Sequence, residues 1–182
     1  MDTSKQALIA RVRELETENL ALRERIDFLE GIPTLRAGIR GEMLISEIVR
    51  GRLTTHTAPH DVIVPDGRKL EVKFSRLNRP NPKSHSRRWS WNHPLGSTLA
   101  KDFDQILLIG VADPRYRDDY KDPHSPYVIF DVPRDRAAAM NQQGNHISIT
   151  TDPNFGGYGT RRMLFSYFQT TVADLKDQYG IE

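Results

Sequence analysis

The stretch Asp61–Lys73, D-V-I-V-P-D-G-R-K-L-E-V-K, leaves the chain around it few options. Val64-Pro65-Asp66-Gly67 is a turn signal with a mechanism. Proline presets the first corner of a type I turn, and glycine accepts the left-handed conformation that follows. A three-residue loop, Pro65 to Gly67, with a bulge at the glycine, then joins two antiparallel strands. Register follows from counting outward: Val64 faces Arg68, Ile63 faces Lys69, Val62 faces Leu70 and Asp61 faces Glu71. Opposed residues share a face, and so do residues two apart on one strand. Asp61, Glu71 and Lys73 are therefore predicted on one side of the sheet. Val62, Val64, Leu70, Val72 and Phe74 fall on the other side, which is apolar and belongs to a core.

Two carboxylates at adjacent strand positions repel each other unless a positive charge lies between them. A hard divalent cation is one solution, since Mg²⁺ is held by one or two carboxylates plus phosphate and water. Lys73 can orient a water or stabilise negative charge beside them. A half-buried hairpin with a solvated charged face has the same residue pattern, and spacing alone does not separate the two.

The stretch resembles the signature of the PD-(D/E)XK nuclease superfamily, the fold of most type II restriction endonucleases. There an acidic residue begins one strand and an acid-x-Lys triplet lies on the next. Asp61 and Glu71-Val72-Lys73 match in order and strand placement. The residue before Asp61 is His60 rather than proline, and a literal Pro65-Asp66 lies in the turn, where Asp66 points away from the sheet face. The resemblance implies an α/β fold: a restriction-endonuclease-like mixed β-sheet flanked by helices. It also implies Mg²⁺-dependent phosphodiester hydrolysis, with Mn²⁺ able to substitute. Asp61, Glu71 and the Val72 backbone carbonyl would hold the metal, and Lys73 would stand at the attacking water. A glutamate on the preceding helix often completes such a site. In G-E-M-L-I-S-E-I-V the candidate is Glu47, with Glu42 the runner-up; a solvated glutamate on an ordinary helix is the alternative. The resemblance spans roughly residues 36–132.

The first thirty residues read differently. Leu8, Leu15, Leu22 and Leu29 repeat every seven positions, with Val12, Asn19 and Ile26 between them at the same period. Leu at d with β-branched residues at a is the pattern of a parallel two-stranded coiled coil, and a central Asn at a fixes its register. Arg11 would meet Glu16 of a second copy, Glu18 would meet Arg23, and Arg25 would meet Glu30. A bZIP factor is excluded, because only Lys5 precedes the zipper where a basic region would stand. The predicted organisation is a coiled-coil dimerisation helix over 1–31 and a nuclease domain over 34–182. Gly31-Ile32-Pro33 ends the coil. A second helix, roughly Leu35 to Arg52, carries an apolar stripe of Ile39, Met43, Leu44 and Ile48. His56 and His60 flank Pro59 and read as loop residues, not ligands.

Net charge is only +2, but it is unevenly spread. From Arg68 to Lys101 nine Lys/Arg face a single acid, Glu71, a local charge of +8. Residues 75–101 show neither helical nor strand periodicity and read as one long loop. Arg76, Arg79, Lys83, Arg87 and Arg88 suit phosphate contact. Asn92 and His93 can reach base edges, and Trp89 and Trp91 either pack the loop base or contact a base.

Further on, Gln105–Val111 is an apolar run of strand length, as a strand buried on both faces requires. Asp102 and Asp104 are expected to hold the basic loop rather than metal. Tyr127–Val132 is a strand, Pro133 opens a helix to about Gln143, and His146–Thr151 and Met163–Phe168 are strands. Thr171 caps a last helix ending at Gly180. The turn N-F-G-G-Y-G-T-R-R lacks a Walker lysine, so no nucleotide cofactor is expected. Its Arg161 and Arg162 are candidate DNA contacts. Cysteine is absent, which excludes disulfides, thiolate metal sites and a cysteine nucleophile. Without a membrane-length apolar run or a signal-peptide pattern, a soluble, cytoplasmic protein is expected.

These observations lead to a homodimeric endonuclease acting on double-stranded DNA, most like a sequence-specific enzyme of restriction-modification. A Holliday-junction resolvase, a repair nicking nuclease, or an inactive dimeric DNA-binding protein of the same fold are the alternatives.

Overall fold

The computed structural model describes residues 8–9, 11–20, 23, 33–55, 57–79, 83, 85–96, 101–141, 145–155 and 159–181. Two compact units are present, Met1–Ala37 and Gly38–Glu182. In the first, residues 8–9, 11–20 and 23 are helical (α1). Of the seam positions, Leu8, Val12 and Leu15 are 70%, 48% and 40% exposed on the single chain. The Asn19 amide donates to the Leu15 carbonyl at 3.0 Å, and Arg11 pairs with Glu14 of its own helix at 2.5 Å. Leu22, Ile26 and Leu29 lie outside the described residues.

The second unit is mixed α/β, with a mostly antiparallel six-stranded sheet and helices. Its elements are α2 (Pro33–Ile48, in this unit from Gly38), β1 (Arg52–Leu53), β2 (Val62–Ile63), β3 (Lys69–Ser75), β4 (Arg88–Asn92), β5 (Gln105–Val111), β6 (Tyr127–Pro133), α3 (Arg134–Met140), β7 (His146–Thr150), α4 (Thr160–Met163), β8 (Gln169–Thr170) and α5 (Val172–Gln178). Sheet order is β1-β2-β3-β5-β6-β8, while β4 and β7 form a separate antiparallel pair. Only β3 and β5 run parallel. Two parallel neighbours cannot be joined by a tight turn; they need a crossover of a dozen residues or more. The basic stretch is that crossover, so topology demands its length.

Alternation along the strands feeds two apolar clusters. Ile106 and Leu108 of β5 join Trp89, Trp91, Phe103, Val128, Phe130, Val132 and Leu164. Leu107 and Ile109 join Ile45, Ile48, Val49, Val62, Val64, Leu70, Val72, Ile129 and Leu175. A strand buried on both faces must be apolar at every position, which is why Gln105–Val111 shows no polar alternation. Among the described residues, no helix is long and apolar enough to cross a membrane.

Several expectations are corrected. The α2 stripe holds in part: Ile48 is buried and Leu44 packs on the core as expected, but Ile39 and Met43 are 37% and 48% exposed, and Ile45 and Val49 are fully buried instead. A Cβ at Gly41 would lie 3.3 Å from Phe74 Cβ, so the helix backbone approaches the sheet along a line with no apolar side chain to announce it. The basic stretch is not loop throughout, because β4 lies within it. Trp89 and Trp91 alternate into the core, and their indole N–H groups donate to Val111 and Ile109 carbonyls at 2.9 Å each. Met163–Phe168 is not a strand. Helix α4 runs into a π-helical turn, Leu164–Phe168, with Leu164 buried and Phe165 and Phe168 packed on the same cluster. A short apolar run fits either structure, and tertiary packing decides. Thr171 does cap α5, in a reciprocal capping box with Asp174.

Candidate active site

The hairpin forms as its turn residues dictate. Gly67 has φ +91°, its amide donates to the Val64 carbonyl at 2.9 Å, and the Val64 amide donates to Arg68 at 3.0 Å. Asp66 stands exposed at the tip, accepting from the Arg68 amide (3.0 Å) and guanidinium (2.7 Å). The ladder then pairs Ile63 with Lys69 and Val62 with Leu70, the register counted from the turn.

At Asp61 the backbone ladder gives way to side-chain chemistry. The Asp61 amide donates to the Leu70 carbonyl at 2.9 Å, and its Oδ2 accepts the Val72 amide at 2.8 Å. The carboxylate thus extends the ladder by one bond and is held by the Val72 amide. Thr54 secures the same point, its hydroxyl bonding to the His60 and Asp61 carbonyls. His60 is buried, with Nδ1 3.2 Å from the Asp102 carbonyl. His56 lies outside the described residues.

Asp61, Glu71 and Lys73 come together. Glu71 is fully buried. Lys73 Nζ lies 2.7 Å from Glu71 Oε1. A second ammonium, Lys101, reaches both Glu71 oxygens at 2.5 and 2.6 Å and approaches Asp61 Oδ1 at 3.4 Å. Burial, then the neighbouring Asp61 charge, raises the Glu71 pKa, while Lys73 and Lys101 oppose the rise. For Lys101, burial pulls the other way, but its bonds and charge interactions with Glu71 and then Asp61 hold its pKa above the ordinary lysine value.

Of the two helix candidates, Glu42 is the one electrostatically coupled to the hairpin carboxylates. Glu42 is half-buried, and its pKa is pushed up to about 7, by burial first and then by the Asp61 and Glu71 charges, with Lys73 and Lys101 acting against. Glu47 is exposed and lines a surface cavity of about 350 Å³ with Arg40, Met43, Leu44, Phe74 and Tyr127.

The donor set suits a hard divalent ion. Among the described residues no three His, Cys, Asp or Glu side chains are gathered as a ligand cluster. Mg²⁺ needs only one or two carboxylates from protein, completed by water and phosphate. Asp61 and Glu71 could supply those two, and they share one cationic group, Lys101.

The cationic candidates divide into two sets. Arg76, Arg79, Lys83, Arg88, Asn92 and His93 are exposed. His93 has φ +49°, and its ring is anchored 3.1 Å from the Asn145 amide. Arg87 instead faces the fully buried Asp113, at 3.4 Å, and Asp113 also takes Arg115 Nη2 at 2.6 Å and the Thr151 hydroxyl at 2.8 Å. Arg161 is used internally, its guanidinium donating to the carbonyls of Asp152, Pro153 and Phe155. Arg162 is exposed on α4, the short helix that follows the glycine-rich turn. Asp102 and Asp104 act on β3: Asp102 pairs with Lys69 Nζ at 2.6 Å, and Asp104 accepts the Lys69 amide at 2.8 Å.

Sequence reasoning missed Lys101 and Thr54. Neither belongs to a local pattern, since each reaches the site through tertiary structure alone. No protein-family model and no curated protein matches this chain.

Proposed function

We propose that the chain is a homodimeric, Mg²⁺-dependent endonuclease of the PD-(D/E)XK kind, hydrolysing phosphodiester bonds in double-stranded DNA at a specific sequence. What supports this most is the convergence of Asp61, Glu71 and Lys73 on one patch, with two carboxylates sharing a single cation position.

Asp61, Glu71 and the Val72 carbonyl would hold Mg²⁺, with Glu42 in electrostatic reach. When bound, the ion supplies Lewis-acid stabilisation of charge on the phosphate and leaving oxygen. The protein's own groups do the rest. The Val72 amide fixes Asp61 Oδ2 and so aims the remaining oxygen. Burial keeps water from Glu71, which strengthens every charge interaction around it. Lys73, partly exposed beside Glu71, orients a water for in-line attack and stabilises negative charge as it develops. The exposed Arg76, Arg79, Lys83 and Arg88 supply phosphate contacts, and Asn92 and His93 supply base-edge contacts. The heptad seam of α1, through Leu8, Val12, Leu15 and Asn19, pairs two copies in parallel, and a two-fold axis lets two sites cut both strands.

The test is incubation with phage DNA and Mg²⁺, followed by sequencing of the ends. Discrete fragments support a restriction enzyme. A smear indicates a nonspecific nuclease, and cutting confined to four-way junctions indicates a resolvase. Asp61→Ala and Lys73→Ala should each lower cleavage at least about a hundredfold while the dimer persists in ultracentrifugation. Undiminished cutting by either variant removes this site from the chemistry.

A further inference from the structure

Glu71 carries one more cation than the E-x-K triplet supplies. Lys73 already pairs with its Oε1 at 2.7 Å. Lys101 lies thirty residues beyond Glu71, at the return of the crossover. It nonetheless wraps both Glu71 oxygens, at 2.5 and 2.6 Å, and its Nζ also stands 3.4 Å from Asp61 Oδ1. The group between the two carboxylates is therefore an ammonium that belongs to the chain.

We propose that Lys101 is the site's internal counter-ion, occupying the position between Asp61 and Glu71 that a divalent cation would take, and that it thereby sets the affinity for that cation. The inference rests on the metal site proposed above. An ammonium seated 2.5 and 2.6 Å from the two Glu71 oxygens and 3.4 Å from Asp61 Oδ1 fills the space between the carboxylates, and a second cation brought into that space meets both its bulk and its like charge. The two cations exclude each other, so ion binding is linked to release of Lys101, and each opposes the other by the same factor. The exchange is favourable in charge: a divalent ion between Asp61 and Glu71 brings two positive charges where Lys101 brings one. Without an ion, Lys101 keeps Glu71 from being a buried carboxylate paired with Lys73 alone, which is a costly state.

The experiment uses the full chain and Mn²⁺ without DNA. Binding is measured by calorimetry for the parent, Lys101→Met and Lys101→Arg, with thermal unfolding in EDTA and in Mn²⁺. Lys101→Met should bind Mn²⁺ about tenfold more tightly or better, within the usual range of coupling between two ligands. It should also melt below the parent in EDTA and gain more from Mn²⁺. Lys101→Arg, which keeps the charge, should bind no more tightly than the parent. If the methionine variant is unfolded in EDTA, its folding on addition of Mn²⁺, followed by far-ultraviolet circular dichroism, supports the inference, and persistent unfolding overturns it. Equal Mn²⁺ affinity in parent and Lys101→Met overturns the role of Lys101 and leaves the nuclease proposal intact, provided that Asp61→Ala abolishes the binding. Tighter binding by Lys101→Met with no DNA cut by the parent has the opposite meaning: the counter-ion stands and the nuclease falls.

Discussion

Glu42 offers a test of the site's electrostatics that needs neither metal nor substrate. Its carboxyl is shifted from the ordinary 4.5 to about 7, by burial first and then by the charges of Asp61 and Glu71. In that interval the folded protein holds a proton that the unfolded chain has released. Stability contributed by this group is full below about pH 4.5 and is lost as pH rises through about 7. A shift of this size corresponds to about 3 kcal/mol if undiluted. Glu42 is only half-buried, and solvent screening reduces the expectation to about 1–2 kcal/mol. Glu42→Gln removes the titration while keeping the side chain's shape. Urea unfolding in EDTA, followed by the fluorescence of the buried Trp89 and Trp91, gives the free energy at about pH 5 and about pH 8. Over that range the parent should lose about 1–2 kcal/mol relative to the variant. A difference that stays constant with pH, or that grows in the parent's favour, would refute the coupling between α2 and the hairpin carboxylates.

Gly110→Ala should destabilise the fold by about 1–3 kcal/mol, because a Cβ there would meet the Trp89 ring at 2.5 Å; an unchanged urea midpoint would mean that this packing yields freely. Asn19→Lys should weaken self-association in sedimentation, and an unaltered dimer would put the contact outside the α1 seam. Asp66→Ala should leave DNA cleavage at the parental rate, since Asp66 pairs with Arg68 at the exposed turn tip; loss of cutting would make the literal Pro-Asp pair the functional one.

What the sequence disclosed was whatever local chemistry decides. Pro65 and Gly67 imposed the turn, and the turn imposed the register, so the sharing of one face by Glu71 and Lys73 was legible from thirteen residues. The double burial of β5 was legible from its lack of alternation. Elements set by distant packing were not. The close approach of α2 to the sheet at Gly41, beside Phe74, was not legible, because glycine leaves no mark in an apolar stripe. The tryptophans lie in a segment dense with arginine and proline, yet β7 recruits them into a strand. The apolar run at Leu164–Phe168 has a composition that serves strand and helix alike, and contact with the Trp89 cluster decides between them. Arg87 and Arg161 had the right charge for phosphate, but internal acceptors already use them.

The two halves of the site close over very different spans. The bond from Val72 to Asp61 bridges 11 residues, and that from Lys101 to Glu71 bridges 30. Closing the longer span costs about 1 kcal/mol more in chain entropy, and the parallel pairing of β3 with β5 is itself a slow, non-local event. Loop closure alone favours assembling the acidic pair with the hairpin before the crossover returns Lys101. For that interval a newly made chain carries its two carboxylates with Lys73 as their only nearby cation from this pair of lysines, and an ion present during synthesis would find the place still open.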